Sequence, residues 1–361
     1  MNPTKNINFK SLNLVTWIFF YVLEFFSKVW IFIIILNLNF PITILNAQTK
    51  TNDEVLSANI KVQNLNLSGK KDIVEVLPTL HTYVNLQSLD LSGSYIQNED
   101  LRFIQNPKLN TLSLANTIIN NDGVNYIGRF SQLRNLNLEG SSISDASLST
   151  IARLSLDRLD IGRTNITDNG LKSLQGSRIS RLDLTSLKIT DIGMKSIGSM
   201  QNLRELHLWG TKITAEGLDN FQNLKNLSVL TLAGTEVNSE GVKNIANIPT
   251  LKILNLSWTK INDLALKYIS LSKTVEVLSL NGNKISVSGL NQLTKMKSLK
   301  ILSLEDIVFN SDLEDTLASI PRLKVVYLNK VSANPKSVKS LVNRIRWAAI
   351  YYEGVLQFPE E

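Results

Sequence analysis

The chain of 361 residues is 43% hydrophobic, carries a formal net charge of +7 and contains no cysteine. That composition excludes a disulfide framework, a cysteine zinc cluster and a thioether-attached haem, and with His81 and His207 as the only histidines no metal or other cofactor is expected. The length would suit two or three ordinary domains, but one periodic pattern fills most of it, and a solenoid grows by repetition instead.

Residues 1–47 stand apart. Lys5 and Lys10 precede an apolar tract over 12–45, with Glu24 and Lys28 inside it and Pro41 near its end. A basic start, an apolar run, a helix breaker and then Ala47-Gln48 read as a secretory signal cut after Ala47. Residues 14–36 are also long enough to span a bilayer as an uncleaved anchor. Either reading puts the remainder of the chain outside the plasma membrane or in a periplasm, with membrane contact confined to this segment. Residues 48–61 are polar and read as a tether.

From Val62 onward the same unit recurs. In one copy, residues 156–174, it runs Leu-x-x-Leu-x-Ile-x-x-Thr-x-Ile-Thr-Asp-x-Gly-Leu-x-x-Leu. Its first apolar position returns as Val62, Leu86, Leu109, Leu133, Leu156, Ile179, Leu203, Leu227, Leu251, Val275, Leu299 and Leu323, always 23 or 24 residues apart. A fixed period in the twenties marks a leucine-rich solenoid. Apolar positions four and six alternate with a polar one, the period of a half-buried strand. Such a strand cannot bury its apolar side alone and must stack on copies of itself. The ninth position is Thr117, Ser141, Thr164, Thr211, Thr235, Thr259 or Asn283, whose hydroxyl or amide can bond the backbone where the chain leaves the sheet. Asn120, Ser144, Thr167, Thr190, Thr214, Asn238, Asn262 and Ser286 then start a helix as N-caps. Asp145, Asp168, Asp191 and Asp263 come next in its first turn, where the helix dipole favours an acid. A glycine such as Gly170 or Gly193 then lets the helix lie close to its neighbours.

The pattern resembles the leucine-rich repeat family, in its ribonuclease-inhibitor-like group, and more narrowly bacterial proteins built of the unit LxLxxTxITDxGLxxL. The resemblance covers roughly residues 60–345. It implies an α/β right-handed solenoid of eleven to twelve repeats, parallel strands on a concave face and short helices on a convex one. It also implies a non-catalytic role in protein binding.

The repeats are bounded at 62–346. The first copy keeps Val62, Leu65 and Leu67 but loses the Thr-x-Ile turn, as an end-sealing repeat should. After the strand at Leu323–Leu328, Asn334-Pro335 caps a helix to about Arg346, and residues 347–361 are expected to cover the open end. Arg322, Lys324, Lys330, Lys336, Lys339, Arg344 and Arg346 succeed one another with no acid between them. A nucleic-acid patch is set aside because an exported chain meets little nucleic acid; the run reads as a solvated basic cap or, alternatively, as a contact for anionic envelope polymers or lipid headgroups.

Chemistry on such a fold belongs to the strand residues facing away from the helices. Arg158 and Asp160, Arg181 and Asp183, and Glu205, His207 and Trp209 fall on three successive strands, and Trp258 lies two copies further on. Exposed tryptophan and arginine beside an apolar strip is the composition of a protein-binding hot spot. Beyond them the third position turns apolar: Val229, Ile253, Val277, Ile301 and Val325. Asp160 and Asp183 could also stand near the separation of a retaining glycosidase pair, which would make the chain an envelope glycan-acting enzyme or its regulatory subunit. The arginine two residues before each acid should keep both ionised, so partner binding is the favoured reading.

Overall fold

In the computed structural model, residues 61–307, 310–330 and 335–358 are described. The expected leader, 1–47, and all but the last residue of the tether lie outside them. No helix among the described residues is long and apolar enough to cross a membrane.

The short strands stack in chain order into one sheet. They are β1 (Asn64–Asn66), β2 (Ser88–Asp90), β3 (Thr111–Ser113), β4 (Asn135–Asn137) and β5 (Arg158–Asp160). Next come β6 (Arg181–Asp183), β7 (Glu205–His207), β8 (Val229–Thr231), β9 (Ile253–Asn255) and β10 (Val277–Ser279). The last are β11 (Ile301–Glu305), β12 (Val325–Asn329), β13 (Ala349–Tyr352) and β14 (Val355–Gln357). The order is β1 to β14 without a crossover, parallel throughout except for the final antiparallel pair. The register matches the repeat, so that Leu159, Leu182 and Leu206 pair across neighbouring strands and are fully buried, while the residues on either side of them face away from the core.

The turn off each strand has two devices, and the sequence shows one of them. The ninth-position hydroxyl donates to the backbone carbonyl three residues back, as in Thr164 to Ile161 and Thr211 to Leu208, both at 2.7 Å. The second device is the eighth position, which is left-handed in every copy. Gly69, Gly93, Gly140, Gly210, Gly234 and Gly282 hold it, but so do Asn116, Arg163, Ser186, Trp258, Asp306 and Lys330. For a bulky side chain this backbone is strained, and Trp258 holds it at φ 52°.

Seven-residue helices such as Asn121–Ile127, Asp191–Ile197, Ser239–Ile245 and Asp263–Ile269 come after the turn. Most of the expected N-caps accept a backbone N–H, Thr190 from Ile192 and Asn262 from Leu264 among them; Ser144 caps by position only. The acid in the first turn does more than answer the helix dipole. Asp168 Oδ1 accepts the Thr190 and Gly193 backbone N–H groups of the next repeat, and its Oδ2 accepts the Thr190 hydroxyl at 2.7 Å. Asp145 holds Thr167, Asp191 holds Thr214 and Asp263 holds Ser286 in the same way. The recurrent glycine is the room for that carboxylate, since a Cβ on Gly193 would stand 2.5 Å from Asp168 Oδ1.

The ends depart from the pattern. The first repeats carry 3-10 turns (Ile73–Glu75, Leu77–Thr82, Asn98–Phe103) in place of α-helices. At the other end the helix Pro335–Arg344 forms as expected. Residues 347–358 prolong the sheet as the β13–β14 hairpin, with Ile350 buried in the core, Tyr351 stacked on Tyr327 at 4.9 Å and Trp347 largely exposed. The basic run meets acids from neighbouring repeats: Lys330 pairs with Glu305 at 2.5 Å and Arg344 with Asp315.

Candidate binding face

Strands β5, β6 and β7 bring the expected residues together. Arg158, Arg181 and Glu205 stand in one row across the three strands, and Asp160, Asp183 and His207 in the next. Adjacent strands lie about 4.8 Å apart, so the two rows make a single patch on the face away from the helices.

Its charges are mostly compensated internally. Arg181, only 11% exposed, donates from Nη1 to Glu205 Oε2 at 3.0 Å and lies 3.7 Å from Asp160 Oδ1 through Nε. Arg163 lies 3.5 Å from Glu139. Asp183 Oδ1 accepts the Thr185 N–H at 2.8 Å. Arg158 is exposed and makes no ion pair among the described residues. Two buried atoms at the floor have no hydrogen-bond partner, Asp160 Oδ1 and His207 Nε2.

Burial here overrides the expectation that the arginines keep both acids ionised. Desolvation pushes the Asp160 carboxyl up to about 6; Arg181 and then Arg158 oppose it, while Asp183 and Glu139 add to it. A buried carboxylate loses hydration that an arginine 3.7 Å away, shared with Glu205, does not replace. Burial likewise pushes the Glu139 carboxyl up and the His207 imidazole down from their ordinary values.

The tryptophans are less exposed than their polar surroundings suggest. Trp209 is half-buried, its Nε1 3.4 Å from where a Cβ on Gly234 would stand. Trp258, at the left-handed position, lies against Gly282, where a Cβ would meet its Cδ1 at 2.2 Å. Both indoles therefore rest on the glycine turn of the following repeat, at the edge of the strand face. Trp258 is brought near the patch's side of the sheet but not into its two rows. The left-handed column was detectable in the sequence, because glycine holds the eighth position in half the copies; Arg163, Ser186 and Trp258 hid it.

A hollow lined by Arg178, Ser180, Asn202, Arg204 and Asn226, beside β6 and β7, is open and polar. No group of three or more potential metal-ligating side chains occurs among the described residues.

With this geometry established, comparisons with known proteins place the fold. A leucine-rich repeat family model matches residues 154–174, 199–221 and 247–270, the copies around β5, β7 and β9. The chain is a leucine-rich repeat protein. It superposes on the crystal structure of an internalin from Listeria monocytogenes with a TM-score of 0.56 and 20% identity, over 82% of each chain. That likeness is one of fold. No curated protein matches the sequence.

Proposed function

We propose that this leucine-rich repeat protein is a non-catalytic binding protein, exported or membrane-anchored, that engages a protein partner or envelope component through the strand face at β5–β7. The observation that carries the reading is the patch itself: an exposed Arg158 without an ion pair, beside Asp160 Oδ1 and His207 Nε2, two buried polar atoms without hydrogen-bond partners. The two atoms are closed to solvent, so the exposed Arg158 is the group of the patch that a ligand can reach. Export rests on the sequence of residues 1–47 alone. Terminal sequencing of the mature protein tests it: Gln48 at the N-terminus means cleavage, the intact leader on a membrane-bound chain means an anchor, and a soluble cytoplasmic full-length chain contradicts both.

Binding is tested by capture from cell-envelope extract. Wild type and an Ile192→Ala control on the helix side should retain the same partner, and Arg158→Gln should lose it. Equal retention by Arg158→Gln would refute the strand-face assignment.

A second reading, a glycan-acting enzyme using Asp160 and Asp183, is favoured by the raised Asp160 carboxyl, since a glycosidase acid needs such a proton. Against it stands an open face without a dry cleft. Turnover of envelope glycan that Asp160→Asn abolishes would establish it.

A further inference from the structure

We infer that the partner's docking segment is acidic, and that Arg158 is its anchor. This inference rests on the strand-face reading and adds the chemistry of the occupant. The argument is an asymmetry of pairing. Most acids on and beside the face are matched: Glu139 by Arg163, Asp160 and Glu205 by Arg181, Glu236 by Lys260, Glu276 by Lys300, while Asp183 is held only by the Thr185 N–H. Cations are left over. Arg204 and Lys252 stand exposed in the row just before the strands. Lys188, Lys212 and Lys284 stand exposed in the row just after the left-handed turn, where the chain forms single parallel bridges to the preceding repeat's helix start. None of these five, nor Arg158, forms an ion pair among the described residues.

The strand face is therefore flanked by unmatched positive charge on both edges and carries one unmatched guanidinium inside. Such a field draws in and holds an acidic chain. A nucleic acid is the other polyanion that such edges could take, and titration with each separates the two. A protein segment can set carboxylates over the flanking cations and an N–H or hydroxyl over the floor. His207 Nε2 lies buried in the floor without a hydrogen-bond partner, so its ring reports on packing beneath the face.

The two histidines make the test selective, since His207 is on the floor and His81 lies in the Leu77–Thr82 turn near the other end of the repeats. The full-length chain with labelled histidine is titrated with a decaglutamate peptide, a decalysine peptide and decathymidylate, and the imidazole resonances are followed by NMR. Decaglutamate should shift His207 and leave His81 in place, with affinity falling as salt rises. Arg158→Gln should weaken binding by at least about fivefold, as truncation of an interface anchor does, and Lys195→Gln on the helix side should change nothing. Tighter binding of decalysine or decathymidylate overturns the inference, as does decaglutamate binding that leaves His207 unmoved. A His207 shift caused by decalysine alone refutes the acidic partner while leaving the strand face as a docking surface. Capture of the envelope partner by Arg158→Gln as by wild type refutes the face itself.

Discussion

Asp160 shows how a single residue's environment outweighs its neighbours in sequence. Two arginines close in sequence or space suggest a firmly ionised carboxylate, yet burial lifts it to about 6. The unfolded chain releases this proton near 3.8 and the folded chain near 6, so between those values the folded state binds more protons. Its contribution to stability is fully present below about pH 4 and is lost as pH rises through 6. Asp160→Asn removes the neutral-pH penalty and leaves Arg181 its Glu205 partner. Thermal melts should show the variant more stable than wild type by about 2 kcal/mol at about pH 7.5, with the difference gone at about pH 4. A destabilised variant at neutral pH would mean that the pair with Arg181 outweighs desolvation. None of this was legible in the sequence, because the pattern names the row Asp160 occupies but not how deeply Arg181 and Glu205 cover it.

Among the elements, the strand and the helix start were legible and the link between repeats was not. Alternation placed Leu159, Leu182 and Leu206 inside, and N-cap chemistry placed Thr190 and Asn262 at helix starts, because both are local rules. The acid after the cap has its main partners a repeat away, at a separation that only the stacked structure makes meaningful. Asp168 illustrates the consequence. Asp168→Ala removes three hydrogen bonds to the next repeat and should cost about 2–3 kcal/mol by denaturant unfolding. Gly193→Ala puts a methyl group into the same carboxylate and should also destabilise. In the double variant the methyl occupies the space the carboxylate left, so the combined loss should fall short of the sum of the two by about 1 kcal/mol; strict additivity would separate the two residues. Within a single repeat, Leu208→Ala empties part of a fully buried site and should cost about 2–5 kcal/mol, whereas Lys212→Ala on the same turn should cost under about 0.5 kcal/mol. Equal effects would shift the repeat phase.

At the scale of the whole molecule the period of 23 or 24 residues determined the architecture, because a strand that short has no other way to bury its leucines. The ends were less legible: the cap at Asn334-Pro335 marked the helix, but the apolar run from Trp347 to Val355 did not show that it would pair as a hairpin on the sheet edge. The charge left over after pairing, on which the proposed face rests, is a property of all the repeats together. Side-chain footprinting by hydroxyl radicals, on the chain alone and in complex with its captured partner, tests binding at the strand face most directly, because three tryptophans report on separate places. Binding at β5–β7 predicts that Trp209, and with a long segment Trp258, becomes protected while Trp347 on the terminal hairpin is labelled as before. Protection of Trp347 with Trp209 unchanged would contradict it.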